Sequence, residues 1–402
     1  MLFTCIRNTS FGFKKYRVVF LALCLSRCAS APAPAHAEDQ PSTPEGVHFE
    51  CSTATNPAFN VEMSEYLMSL GVSRSMYVVK RDNGGYPSYI LTTPTSDTDT
   101  LSLSVRPEYH IQPDMVELPL AGGIKAIPVT SKKEIVLALF QHGRTTLFSN
   151  EGCSVSAFKD HVGVRQNIVA WTTSLEWDWP NGGSARWNPT YWKKGTPLPG
   201  YGVPLVFLDA FQQQSKYAIG CYTATKLAIV QGIVDYYYRI KKDYVTLNRI
   251  EHRLLQDNEP LVDIEPSGMW YFEEGHQPDK VPTTGKLTTL NTTVPPNNFV
   301  PGDWSYILNT DRKSAQKTGY EGSNALYLGA NTFDDYYNDH RHGYTFKEKL
   351  SEVYQWRFGV FSLSRDIAKI HPLTAQDVLR LSQPPENAGL LLSYRVTPLI
   401  SW

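Results

Sequence analysis

Apolar side chains recur at i, i+3, i+4 spacing along Ala224, Leu227, Ala228, Val230, Ile233, Val234 and Tyr237, which predicts a helix over 221–240 with Cys221 in its first turn. Two further helices are predicted near the C-terminus, over 345–356 (Leu350, Val353, Tyr354) and over 373–382 after Pro372. Short β-branched and aromatic runs predict strands at 47–50, 76–79, 89–91, 304–308 and 325–329. Gly84-Gly85 and a Ser/Thr/Asp tract at 93–104 break the N-terminal runs, and the Pro/Asn/Thr-rich stretch 278–301 reads as a loop. A helix followed by antiparallel-looking strands argues an α+β class over a βαβ sheet. The chain shows no internal repeat, no phosphate-cradling glycine loop and no G-x-S-x-G elbow.

Residues 1–37 read as an export leader. Lys14, Lys15 and Arg17 form a basic region, Val18 to Leu25 an apolar one, and Ala35-His36-Ala37 an A-x-A cleavage pattern before Glu38. Secretion or periplasmic release is therefore expected; lipidation at Cys28 is the weaker alternative, because Arg27 stands where a small residue is wanted. Residues 38–46 form a Pro/Ser/Glu linker, 47–155 a β-rich accessory region, and 156–402 the remainder, where the texture changes. With 38 Lys+Arg against 39 Asp+Glu, the charge balance provides no ground for a nucleic-acid partner. Losing the leader's five basic residues makes the mature chain mildly acidic. No apolar run approaches the length of about 18 residues that a membrane span requires. The 9 Trp, 23 Tyr and 17 Phe are ample for a core, which excludes disorder as the main state.

Cleavage of the leader would remove Cys5, Cys24 and Cys28 and leave Cys51, Cys153 and Cys221. An odd count in an oxidising compartment implies one bridge and one leftover thiol. Cys51 and Cys153 lie in loop-like contexts suited to a bridge, so Cys221 is the expected free cysteine. A thiol at a helix N-terminus is a sensible nucleophile, because the helix dipole favours the thiolate; the bland alternative is a buried packing cysteine. Candidate partners stand in two words, Tyr320-Glu321-Gly322-Ser323-Asn324 and Asp339-His340-Arg341-His342-Gly343. The second also suits a metal, but lacks further ligands at appropriate spacing, so no metal or cofactor is expected. Trp171, Trp177, Trp179, Trp187 and Trp192 sit among Pro180, Gly182, Gly183 and Pro189, either as the wall of a substrate groove or as aromatic cover over a core edge.

Several words of residues 160–357 occur in one order: Gly163-Val164-Arg165-Gln166-Asn167, Asn188-Pro189-Thr190-Tyr191-Trp192, Tyr217 to Thr225 around Cys221, Gly302-Asp303-Trp304-Ser305-Tyr306, Tyr320 to Gly329, and His342-Gly343. In these the chain resembles the Bacillus-type protein-glutamine gamma-glutamyltransferases, the small calcium-independent transglutaminases of spore coats. The resemblance implies a papain-like, NlpC/P60-related core with the cysteine at a helix N-terminus packed on an antiparallel sheet. It also implies an enzyme of EC 2.3.2 type that acts on protein glutamine carboxamides through a thioester, passing the acyl group to a lysine amine or, as a deamidase, to water, with Cys221 as nucleophile. The family has a glutamate just before the cysteine, where Gly220 stands, and a catalytic glutamate where Ser323 aligns. His342 is therefore the expected base and Glu321 its orienter. Trp187, Trp192 and Asn324 are the expected substrate contacts. Two other readings remain open at this point: a cysteine peptidase or amidase acting on cell-wall peptides, and an inactive exported binding protein of the same fold.

Overall fold

The short N-terminal runs form strands, joined by helices into a mixed sheet. A computed structural model describes residues 45–255, 283–284, 286–291, 294–334, 336–338, 343–361, 367–392 and 394–402. The leader and most of the 38–46 linker lie outside the described residues. In chain order come β1 (Gly46–Glu50), α1 (Pro57–Ser69), β2 (Tyr77–Arg81), β3 (Pro87–Leu91), the hairpin β4 (Asp114–Leu120) and β5 (Gly123–Val129), α2 (Lys132–Phe140) and β6 (Thr145–Ser149). Asn56 and Ser131 start the first two helices by accepting the backbone N–H of Ala58 and Glu134. The sheet order is β2-β3-β1-β6, with β1 and β6 parallel. Their parallel register carries Glu50 opposite Ser149. The residues just beyond those ends, Cys51 and Cys153, thereby stand 6.2 Å apart at Cα and form the anticipated bridge, leaving Cys221 free.

Helix α3 (Val155–Thr173) follows at once, and the periodicity did not announce it. It is buried nearly all round, so no apolar stripe faces a polar one. Its first half packs Phe158 against Phe49 and Phe148 of the N-terminal sheet, and its second half places Ile168 and Trp171 in the central core. The expected boundary at 155/156 thus falls at the start of a helix serving both regions, and Pro44–Trp402 make one compact unit. Then come β7 (Trp192–Lys193), β8 (Thr196–Pro197), α4 (Val203–Gln212), α5 (Cys221–Asp235) and α6 (Tyr244–Leu255). Between the last two, Tyr236–Ile240 form a π turn, so the regular α-helix predicted to 240 ends at Asp235. Helix α5 crosses α3 so closely that a Cβ on Gly232 would lie 2.4 Å from the Ile168 side chain. Asn167 donates to the Gly232 carbonyl (2.8 Å), and Trp171 to the Asp235 carboxylate (2.9 Å).

The second half of the chain supplies β9 (Thr283–Thr284), β10 (Thr288–Asn291), β11 (Trp304–Leu308), β12 (Gly322–Gly329), β13 (Thr332–Asp334), β14 (Tyr344–Thr345), α7 (Phe346–Gln355), α8 (Ala375–Leu381) and β15 (Arg395–Pro398). These strands form a sheet of order β14-β13-β12-β11-β15-β10-β9 with antiparallel pairings throughout. One face of the β11–β12 pair carries α5, since Trp304 and Leu326 belong to the α3/α5 core. The other face carries Ile307, Ala325 and Tyr327 into a cluster with Leu350 and Val353 of α7. The α+β reading holds.

A buried ion cluster fixes the start of β11. Asp303 receives Arg144 at 2.7 Å and Arg165 at 2.9 Å, with all three side chains buried. The Val300 N–H also donates to this carboxylate at 2.8 Å. Burial alone would raise the Asp303 carboxyl pKa; the two guanidinium charges outweigh it and hold the group below the usual carboxylate range. Replacing Asp303 by Ala leaves two buried cations unpaired and should cost about 3–5 kcal/mol in chemical denaturation. The wild-type contribution is full above the ordinary carboxyl value of about 3.9 and is lost as pH falls through the lower folded one, an acid leg the variant should lack. Gly232→Ala should destabilise by about 1–3 kcal/mol through overpacking, read as a lowered Tm.

Candidate active site

Gly220 is extended (φ −67°, ψ 154°) and Cys221 is the first residue of α5, with Ala224 N–H closing the first turn on the Gly220 carbonyl at 2.9 Å. The first-turn amides of a helix lack intrahelical acceptors and carry the positive end of its dipole. Here that end opens on a cavity of about 420 Å³, lined by Gly220, Cys221 and Tyr222 from the helix. The sheet contributes Tyr306, Gly322 and Asn324, and two turns contribute Trp179, Pro180, Gly182, Gly183, Thr318, Gly319 and Glu321. Tyr394, just ahead of β15, completes the lining.

Strand register selects which of these residues meet the sulfur. Tyr306 lies directly opposite Asn324, so their side chains share the face turned to α5. Ser323, one residue away, takes the other face by alternation and does not line the cavity. Asn324 Nδ2 donates to the Cys221 Sγ at 3.4 Å, and Trp304 Nε1 donates to the Asn324 Oδ1 at 2.9 Å. Because an indole only donates, it fixes the amide with its NH₂ toward the sulfur. The Tyr222 ring meets Trp304 edge-on at 5.5 Å. Tyr306 lies over Gly322, where a Cβ would stand 2.4 Å from its ring and hydroxyl.

Among the described residues, the polar groups nearest the thiol are neutral donors, with Glu321 at the rim. Burial pushes the Tyr306 phenol well above its ordinary value, and the neighbouring Cys221 and Glu321 push it further. Burial does the same to Tyr394. Both are O–H groups at neutral pH. Glu321 stands at the exposed rim, accepting the Gly319 N–H at 2.9 Å. Behind Cys221, Thr225 donates to the Cys221 carbonyl (2.7 Å) and Tyr337 to the Ile219 carbonyl (2.9 Å).

Of the residues expected from sequence, Cys221, Glu321 and Asn324 come together around one cavity. His342 and His340 lie outside the described residues. Trp192 is buried in the core, stacked on half-buried Trp187 at 5.0 Å, and neither lines the cavity. Trp171 and Trp177 are core residues too, and Trp179 is the member of that group at the cavity. Trp179 enters the sequence reading as one of the five tryptophans of a possible groove wall. Tyr222, Tyr306 and Tyr394 carry no candidate role in it, although Tyr306 belongs to the Gly302–Tyr306 word. Its two-residue step from Trp304 puts both on one strand face.

The family model of protein-glutamine gamma-glutamyltransferase matches residues 128–353 of this chain. The chain belongs to that family. Its matched stretch holds every lining residue except Tyr394 and begins at the end of β5, inside the β-rich region. Among solved structures, the chain is similar to the transglutaminase from Geobacillus stearothermophilus (without C-terminal extension). The identity is 15% and the TM-score 0.38, covering 62% of this chain and 95% of that one. No curated protein matches it in sequence. Measured against the transglutaminase words, Gly220 faces open space, with nothing within 4 Å of an added Cβ.

Asn324→Ala should remove the donor to the sulfur and lower the rate of Cys221 alkylation by iodoacetamide at neutral pH, by about tenfold or less. Trp304→Phe, which keeps the ring but frees the amide, should shift it the same way by a smaller amount.

Proposed function

We propose that this transglutaminase-family enzyme uses Cys221 to take the acyl group from a protein glutamine through a thioester. The supporting observation is the unbridged sulfur at the α5 N-terminus, facing the cavity with the Asn324 amide donating to it. Thiolate is the reactive form, and both the helix end and the amide favour it. In this reading His342 takes the thiol proton and Sγ bonds to the carboxamide carbon. The resulting oxyanion sits against the first-turn amides of α5. Collapse breaks the C–N bond, and the proton held by His342 leaves with ammonia. A lysine amine then attacks the thioester, giving the isopeptide and returning the thiol. Glu321 orients the base.

The aromatic lining supports lysine over water as acceptor, because the rings of Trp179, Tyr222, Tyr306 and Tyr394 make the wall largely apolar and suit the aliphatic stem of a lysine. A papain-like core is the matching fold reading, on the ground that the thiol-bearing helix packs against antiparallel β12. Export through the 1–37 leader is the matching location, and the Cys51–Cys153 bridge suits an oxidising compartment.

Mature protein incubated with casein and a fluorescent primary amine should incorporate label, and Cys221→Ala should abolish it. Ammonia release without label would make the enzyme a deamidase. Cleavage of peptidoglycan stem peptides with neither label nor ammonia would replace the reading by a peptidase. His342→Ala should depress thiol reactivity at neutral pH far more than Glu321→Ala; equal, small effects would remove His342 as base.

A further inference from the structure

We propose that the cleft on the far side of the Trp179–Pro180 wall is a subsite for an acidic side chain of the glutamine-bearing substrate, read by Lys317. This rests on the acyl-transfer reading above and adds a substrate class to it. The cleft holds about 890 Å³ and shares Trp179 and Pro180 with the reactive cavity. The wall is thin. Gly182 (φ +78°) approaches the Thr318 carbonyl so closely that a Cβ would lie 2.7 Å away, and Gly319 (φ +87°) packs back on Gly182. Thr318 and Gly319 line the reactive cavity, while Lys317 lines the cleft. At about 3.3 Å per extended residue, a peptide with its glutamine in the cavity reaches the cleft within a few residues.

The charges in the cleft are unequal in availability. Arg186 is paired with Asp178, whose other oxygen accepts Asn338 Nδ2 at 2.8 Å, so that pair is internally satisfied. Lys317 has no carboxylate partner among the described residues. Its ammonium lies 4.0 Å from the Phe361 ring centroid and 4.5 Å from that of Tyr320. The two rings meet edge-on at 4.7 Å, and the Tyr320 hydroxyl donates to the Phe361 carbonyl at 2.8 Å. Trp179 and Trp356 close on Tyr320 at 5.2 and 5.1 Å. An aromatic shelf therefore holds in place, beside the entrance to the thiol, a cation with no carboxylate partner among the described residues. A cation already positioned loses less freedom on meeting a carboxylate than a free lysine would.

The test uses acetylated, amidated peptides with one glutamine and one glutamate moved from four residues before it to four after, against a neutral control series that keeps the glutamine and carries serine in place of the glutamate. One or two glutamate positions should raise kcat/KM by roughly three- to fivefold through KM, an advantage that fades with salt. Lys317→Gln should erase the advantage, Lys317→Glu invert it, and Lys317→Arg retain it. Equal kcat/KM across the series, or an advantage that survives Lys317→Gln, overturns the proposal. If no peptide reacts, the acyl-transfer reading falls, and labelled versions of the same peptides binding to Cys221→Ser protein decide this one. Tighter binding of acidic peptides that is lost with Lys317→Gln supports the subsite; charge-blind binding overturns it.

Discussion

The carboxylate of Asp303, sealed between Arg144 and Arg165, joins three parts of the chain that are far apart in sequence. Arg144 leads into β6, Arg165 lies midway along α3, and Asp303 leads into β11. Removing three charges from water is costly, and the attraction between them repays it only when the geometry is tight. What the cluster secures is position. The residue after the clamp, Trp304, orients Asn324, and Asn324 holds the sulfur of Cys221. Two positions further on, Tyr306 forms part of the cavity floor. Gly302 (φ +86°) lets the chain pass against the Arg165 backbone at the same point. A displacement at Asp303 would therefore be transmitted along β11 to the thiol.

Among the described residues, Glu321 is the charged side chain that lines the cavity, and it stands at the rim. A side-chain amide and phenol groups that burial keeps protonated surround the sulfur, together with the positive end of α5. Buried Lys226 lies over the Tyr222 ring at 4.4 Å, and Lys317 and Arg186 stand beyond the Trp179 wall. This bears on the two departures from the family words. Ser323 belongs to the sheet face turned away from Cys221, where the neighbours are those of α7. Gly220 opens on free space. Asn324 occupies the place next to the sulfur.

Some of this was legible from local pattern. Helix α5, strand β11 and the two C-terminal helices came from the spacing of apolar residues along each run, although the fold buries α5 all round and packs both faces of β11. Helix α7 also carries a capping box at Thr345 and Glu348, a purely local feature. The bridge between Cys51 and Cys153 came from counting and context. Helix α3 escaped the same reading because Arg165, Gln166 and Asn167 are buried polar residues whose partners lie on other elements. The tryptophan-rich segment could be read either as groove or as core. The fold divides it, placing Trp179 at the cavity, Trp171, Trp177 and Trp192 in the core, and Trp187 against Trp192.

By itself the sequence determined the α+β class, the family and the cysteine left for chemistry. Each of these depends on residue type and spacing along a short stretch. The tertiary structure alone decided that Asn324, not Ser323, meets the sulfur, that Tyr394 reaches the cavity from beyond the matched stretch, and that Lys317 stands across a wall from Cys221. Those facts depend on strand register and on which helix covers which sheet face. A one-residue slip would exchange every neighbour, and no local pattern encodes the distant segments that prevent it.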